Sequence, residues 1–263
     1  MTETFTRGGI RYTIHDLSDT LSNATREFEP NPHEIQYLGP AETLAEGERR
    51  WGIGADFWPN GQAMNADSVT ATTHSGTHVD APHHYGPAAV GTALTIDTMP
   101  LSWCFGPGVR LDMREKTPVE GIWQSDVEAE LDRIGHELLD GDVVLLWTGT
   151  DLRQPGYQNA SPGLRRDATE FLVDAGVRLI GIDAWGLDRP FPIMIEEAKA
   201  GELDQIWEAH IVGREKPYAQ IERLAGLGEL PGPTGFMVYA FPYKIEAASA
   251  GFARVVAIVE EAV

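Results

Sequence analysis

Apolar positions in this chain come in short continuous runs, divided by glycine- and proline-rich turns and by stretches with helical spacing. Val143-Val-Leu-Leu-Trp147 is the clearest run; a strand with one wet face would alternate, so this one predicts a strand covered on both sides. Val177 to Asp183 predicts another, and Gly108 to Asp112, Phe236 to Pro242 and Arg254 to Glu260 predict three more. Ile10 to Ser18 alternates weakly and predicts an opening strand that ends on His15 and Asp16. Either of these could approach a site, but local hydrogen bonding at a strand end is the simpler role for both. Ser125-Asp-Val-Glu128 has capping-box spacing and predicts a helix to about Leu139, stopped by Asp140-Gly141-Asp142. Ser161-Pro162 supplies an N-cap and a first-position proline for a second helix, which Gly176 closes. Shorter helices are expected over Ala41 to Arg50 and over Leu203 to His210, the latter with Trp207 on its apolar side. Tyr218 to Leu224 reads as a strand or a short turn, and Gly226 to Gly235 as a connector. Strand, helix and strand therefore recur as in an α/β protein with a mixed sheet and flanking helices, with Asp183, Trp185 and Asp188 projected beyond a strand end.

At 263 residues and 42% hydrophobic content the chain can bury a substantial core, and one domain over residues 1–263 is the expected organisation. No apolar run reaches the length of a membrane span, and Met1 to Gly9 lacks the apolar stretch of a signal peptide, so a cytoplasmic location is expected. The single cysteine, Cys104, excludes an intrachain disulfide and sits in Trp103-Cys104-Phe105 as a buried apolar residue. A net charge of -20 argues against nucleic acid and against anionic membrane as partners, because both demand a basic surface.

Residues 22–60 form a long excursion, unusually aromatic for a loop, with Phe28, Tyr37, Trp51, Phe57 and Trp58. A wall over a flat apolar ligand explains these residues, and so does a satellite cluster or subunit contact. Beyond it, four of the eight histidines fall between His74 and His84, in Thr73-His-Ser-Gly-Thr-His-Val-Asp-Ala-Pro-His-His-Tyr85. His74, His78 and Asp80 offer two imidazoles and a carboxylate, a donor set suited to zinc or manganese. In a straight strand the six steps from His74 to Asp80 would span about 20 Å. Ligands on one ion must converge, so the segment has to bend. Gly76 can supply the bend, and Pro82 ends any regularity that follows, so a strand-to-turn passage is expected.

These residues resemble the metal-dependent cyclase and kynurenine-formamidase superfamily, whose pattern is His-x-Gly-Thr-His-x-Asp-x-Pro-x-His. Every fixed position is present, as His74, Gly76, Thr77, His78, Asp80, Pro82 and His84. The resemblance implies a swivelling β/β/α fold, a divalent zinc or manganese ion held by His74, His78 and Asp80, and room for a second ion completed by a distant His and Glu. His210 and Glu222 stand in those places, and His84 is implied to be the general acid/base, with His83 its solvent-facing neighbour.

Within the superfamily the chain looks closest to aromatic polyketide cyclases of the kind that close the last ring of oxytetracycline-type compounds. Gly181-Ile-Asp-Ala-Trp-Gly-Leu-Asp-Arg-Pro190, Gly213-Arg-Glu215 and Gln220 to Gly235 carry that likeness. Formamidase-like members usually have a Ser-Pro step before a C-terminal arginine, where this chain has Phe252-Ala253-Arg254. The resemblance thus implies ring closure by aldol or Claisen condensation on an aromatic polyketide intermediate or other small aromatic substrate, with Trp58 and Trp185 against the planar ligand. It also suggests a homodimer or homotetramer. Hydrolysis of an aryl formamide, an isatin-like lactam or a lactone uses the same site, and a non-catalytic polyketide-binding protein is a third reading.

Overall fold

The computed structural model describes residues 1–89 and 91–263, which divide into two compact units: Met1–Thr20 with Gly76–Val263, and Leu21–Ser75. In chain order, the larger unit opens with β1 (Thr2–Arg7) and β2 (Ile10–Asp16). The smaller unit holds β3 (Glu34–Leu38), α1 (Pro40–Trp51) and β4 (Ala66–Thr70), with β3 and β4 paired antiparallel. The helix expected over Ala41 to Arg50 is present as α1, and the excursion also contributes to a two-stranded antiparallel sheet.

The larger unit resumes with β5 (His78–Asp80), β6 (Phe105–Asp112), α2 (Gln124–Ile134), β7 (Val143–Trp147), α3 (Arg166–Asp174) and β8 (Leu179–Ile182). It continues through α4 (Phe191–Lys199), α5 (Glu208–Glu215), β9 (Ala219–Glu222), β10 (Met237–Tyr239), β11 (Ala250–Phe252) and β12 (Val256–Ala262). Ten strands form one mixed sheet, in the order β1-β2-β12-β10-β6-β7-β8-β9-β5-β11. Its centre, β6-β7-β8-β9, is parallel, and β5 joins β9 antiparallel.

The continuous apolar run of β7 divides by parity, as a strand covered on both faces must. Val144 and Leu146 enter a core cluster with Ile180 and Ile182 of β8, Val127 and Leu131 of α2, and Leu172 of α3. Val143 and Leu145 enter a second cluster with Leu179, Ile221 and Val238, on the other face. Each such leucine or isoleucine contributes about 1.5–3 kcal/mol relative to an exposed position. Cys104 is buried in the second cluster, where loss of hydration pushes its thiol up to about 11 and keeps it unreactive.

Three helix boundaries differ from expectation. The helix α2 ends at Gly135 in the left-handed conformation, φ 67°, short of Leu139. It begins at Gln124 because the Asp126 carboxylate accepts from the backbone N–H of Trp123 at 2.9 Å. The helix predicted from Ser161-Pro162 starts only at Arg166, since the backbone before it is already committed: Ile122 N–H donates to Gly163 O and Leu164 N–H to Leu187 O, both at 2.8 Å. The segment Leu203 to His210 is not one helix. A 3-10 turn, Leu203–Gln205, and α5 are separated by Trp207 at φ +49°, so His210 lies in the first turn of α5 rather than at a helix end. β1, α4 and β11 had no counterpart in the predicted pattern.

Gly106 and Gly108 of β6 make room for their neighbours, a methyl at Gly106 colliding with the carbonyl of Gly141 and one at Gly108 with the Phe236 ring. Because a carbonyl in a turn cannot swing aside as a side chain can, Gly106→Ala should lose about 3 kcal/mol of stability in urea titrations. A loss below about 1 kcal/mol would show that the β6 to Gly141 approach is not a tight constraint.

Candidate metal centre

The site is set out by strand register. β5 pairs with β9 so that His78 opposes Glu222 and Asp80 opposes Gln220. Directly opposed residues of an antiparallel pair share a face, and alternate residues of a strand share it too, so His78, Asp80, Gln220 and Glu222 emerge together. Between them Val79 and Ile221 point the other way, into the second core cluster. Packing therefore fixes which face the polar residues take.

His78 and Asp80 are fully buried, and Glu222 and His210 nearly so. His78 Nε2 lies 3.3 Å from Asp80 Oδ1 and 3.5 Å from Glu222 Oε2, and His84 Nε2 is 3.9 Å from Asp80 Oδ2. Ligand atoms of Asp80, His84 and His210 all lie within 4.8 Å of one another, a spacing that could hold an ion. The bend expected at Gly76 is present, with φ 61°, and His78 Nδ1 is 2.8 Å from the Gly76 carbonyl. After β5, Pro82–Tyr85 forms a 3-10 turn that carries His84 back toward Asp80 while His83 faces solvent. The turn is seated by Tyr85, whose ring stacks on Tyr218 at 5.4 Å and fits where Gly213 of α5 has no side chain. Arg214 Nε donates to the Tyr85 carbonyl from the same helix.

His210 arrives from α5 and is aimed by Asp188. The carboxylate accepts from the backbone N–H of Ala209 at 2.7 Å and of His210 at 3.3 Å, and it also takes the His210 ring at Nδ1. One residue thus caps the helix and orients the ring, leaving Nε2 for the cluster. The sequence placed Asp188 beyond a strand end but assigned it no role; the signal that could have found it is the need of a buried ligating imidazole for a second acceptor. Asp183 points elsewhere and accepts from Thr148 N–H, Thr148 Oγ1 and Gly149 N–H at 2.7 to 2.9 Å. Burial outweighs those donors and raises its carboxyl to about 6. Asp16 is held by Arg254 through two bonds of 2.8 and 2.6 Å. Trp185 meets Phe191 edge-on at 6.5 Å, and Phe191 meets Trp207, which stacks on the His210 ring at 5.1 Å. His74 and Trp58 belong to the smaller unit.

The charges suit a cation. Burial opposes a charged imidazole at His78, yet Asp80, aided by Glu222, overcomes it and lifts the pKa to about 10. His210 is likewise raised, burial being outweighed by Asp188 and then by Glu222 and Asp80. Each ring has Nδ1 engaged by an oxygen, Gly76 O or Asp188, as ligating imidazoles are normally held. Two carboxylates and imidazole nitrogens match what zinc or manganese accepts. Without an ion, the raised His78 pKa stabilises the fold fully below about pH 6.5, and this contribution is lost as pH rises toward about 10. Metal-free protein should therefore weaken across that interval in denaturant titrations, while zinc-loaded protein should not, because the ion replaces the proton. Equal slopes for the two forms would contradict this setting for His78.

The sequence model of the Cyclase family matches residues 15–189. Cyclase-like protein 1 of Oryza sativa subsp. japonica is 28% identical over 132 residues, 49% of this chain and 46% of that protein. The kynurenine formamidase of Bacillus mycoides (strain KBAB4) is 26% identical over 129 residues, 49% of this chain and 56% of that one. The chain thus aligns with about half the length of the curated relatives it matches. Among solved structures, an isatin hydrolase bound to the product analogue thioisatinate superposes with a TM-score of 0.74 at 22% identity, over 97% of this chain and 94% of that one. That likeness shows the fold, the mixed α/β architecture expected from the sequence. Since the family match runs from the end of β2 through the Asp188 loop, more than half of the chain, the chain belongs to the Cyclase family.

Proposed function

We propose that the protein is a metal-dependent hydrolase that opens an amide, lactam or lactone bond next to an aromatic ring, an aryl formamide or an isatin-like lactam being the representative substrates. The observation that carries this is a gradient of burial across one cluster. Among the candidate ligands of the larger unit, the side chains of His78, Asp80, Glu222 and His210 are at most 10% exposed, whereas His84 is 27% exposed while still 3.9 Å from Asp80. Sealed ligands and an open acid/base are what metal-assisted carbonyl chemistry requires.

His74, His78 and Asp80, with His210 and Glu222, would hold one or two divalent ions. A zinc or manganese ion there would supply Lewis acidity toward the carbonyl oxygen of the substrate. His84 Nε2 accepts the proton of the attacking water and returns it to the departing nitrogen or oxygen. Asp80 Oδ2 lowers the cost of the imidazolium formed between those steps. Asp188 keeps His210 from turning as the charge changes. Trp185, Phe191 and Trp207, continuous with the His210 ring, offer an apolar wall for a planar group.

The two kinds of relative bear on substrate: one is named a kynurenine formamidase and one an isatin hydrolase, and both names describe opening a bond beside an aromatic ring. Ring closure on an aromatic polyketide is the second reading. It is favoured by Phe252-Ala253-Arg254, which lacks the Ser-Pro step of formamidase-like members and whose arginine is paired with Asp16. The same ion would stabilise an enolate in that case, and His84 would remove the C–H proton.

Hydrolysis of N-formylkynurenine and of isatin, followed by absorbance before and after chelation, decides between them when run beside conversion of a polycyclic polyketide precursor. The expected result is metal-dependent hydrolysis that falls at least 100-fold in His84→Ala with metal content unchanged. Ring closure without hydrolysis would transfer the site to the second reading. Wild-type rates in His84→Ala would remove His84 from either.

A further inference from the structure

The loop after β8 puts two oppositely charged residues, Asp188 and Arg189, side by side, and both act on the start of α5. Asp188 takes the helix N–H groups and the His210 ring. Arg189, 2% exposed, takes the side chains. Its Nη1 donates to Glu197 Oε1 of α4 at 2.8 Å and to the Val119 carbonyl at 3.2 Å, and its Nη2 lies 3.6 Å from Glu208 Oε2. Glu208 is the first residue of α5, and its other partners are Arg165 Nε at 3.1 Å and the Arg166 N–H at 3.2 Å. Arg165, Arg189 and Glu208 are all buried.

Two glycines clear the space for this assembly. A side chain at Gly121 would strike the stems of both Arg165 and Arg189, and one at Gly163 would strike the backbone joining Asp188 to Arg189. The assembly also closes around a strained residue. Trp207, immediately before Glu208, has φ +49°, a strained conformation for a bulky residue that persists only where its surroundings over-determine it. That same Trp207 stacks on His210.

We propose that Arg189 is a positioning residue for the metal centre: by tying Glu208 and Glu197 to the loop that carries Asp188, it fixes the angle at which α5 presents His210 Nε2 to the cluster around Asp80. The inference rests on the reading of His210 as a ligand. Its mechanical half, the fixing of the Asp188 to His210 bond, stands apart from any ion. A lysine would keep the charge but could not span Glu197, Val119 and Glu208 together, because it lacks the planar fork.

The test is Arg189→Lys, read in two ways: by zinc(II) affinity from competition titration, and by the His210 ring N–H proton resonance of the metal-free protein, which the bond to Asp188 protects from exchange. We expect affinity to fall 10–100-fold, as for other residues that orient a ligating imidazole, and the resonance to broaden into water. Val144→Ala, in β7 and with no part in the Arg189 contacts, is a generally destabilised control and should keep both. Folded Arg189→Lys protein with wild-type affinity and an unchanged resonance would overturn the proposal, as would equal losses in Val144→Ala. If Arg189→Lys does not fold, Glu197→Gln is read by the same criteria, since it weakens the same guanidinium from its more exposed partner. A wild-type protein that shows the protected resonance but takes up no zinc(II) would remove the ligand role of His210 and leave its positioning by Arg189 to be judged from the resonance alone.

Discussion

The pairing of β5 with β9 is the contact on which the rest depends. β5 is only three residues long, yet its register places a fully buried imidazole opposite one carboxylate and two residues from another. A slip of β5 by one residue would send Val79 into the polar cluster and His78 and Asp80 into the core, so the hydrophobic packing of the sheet and the chemistry of the site enforce the same register. β11 pairs on the outer edge of β5, with Ala250 opposite Asp80 and Phe252 opposite His78, which keeps the short strand from being a free edge.

Burying Asp80 and Glu222 side by side is unfavourable unless positive charge accompanies them. In the chain itself that charge is a proton on His78, held to about pH 10, and a raised tendency to protonate at His210. A divalent cation would meet the same demand more fully. The demand for positive charge is local: an overall charge of -20 describes the surface, whereas the site is defined by which carboxylates are shut away from water.

Much of this was legible in the chain because it is local in sequence. A motif spread over eleven residues, His74 to His84, announces itself by composition, and the bend at Gly76 follows from the need of ligands to converge. Strands β7 and β8 were visible because burial on both faces leaves no polar residue in the run. What was not legible depended on contacts between distant segments. No pattern around Asp188 points to His210, twenty-two residues on, because the bond between them exists only when α5 is folded back onto the loop. The late start of α3 has the same cause: Ser161-Pro162 has the right local chemistry for a helix start, but long-range pairing to Ile122 and Leu187 claims the backbone first. Trp207 broke the helical reading because a left-handed tryptophan is a tertiary outcome, not a propensity.

Hydrolysis and ring closure make the same demand on this site, stabilisation of negative charge on an oxygen next to a carbon that gains or loses a bond. The cluster around Asp80 therefore does not by itself distinguish them, and the distinction lies in whether a water molecule or a carbon of the same substrate is presented to the carbonyl. On the larger unit, the residues next to the cluster that could bear on that choice are the Trp185, Phe191 and Trp207 series. A His/Asp cluster fixed by sheet register and aromatic side chains carried by loops and short helices can change independently, because altering the second leaves the first in register.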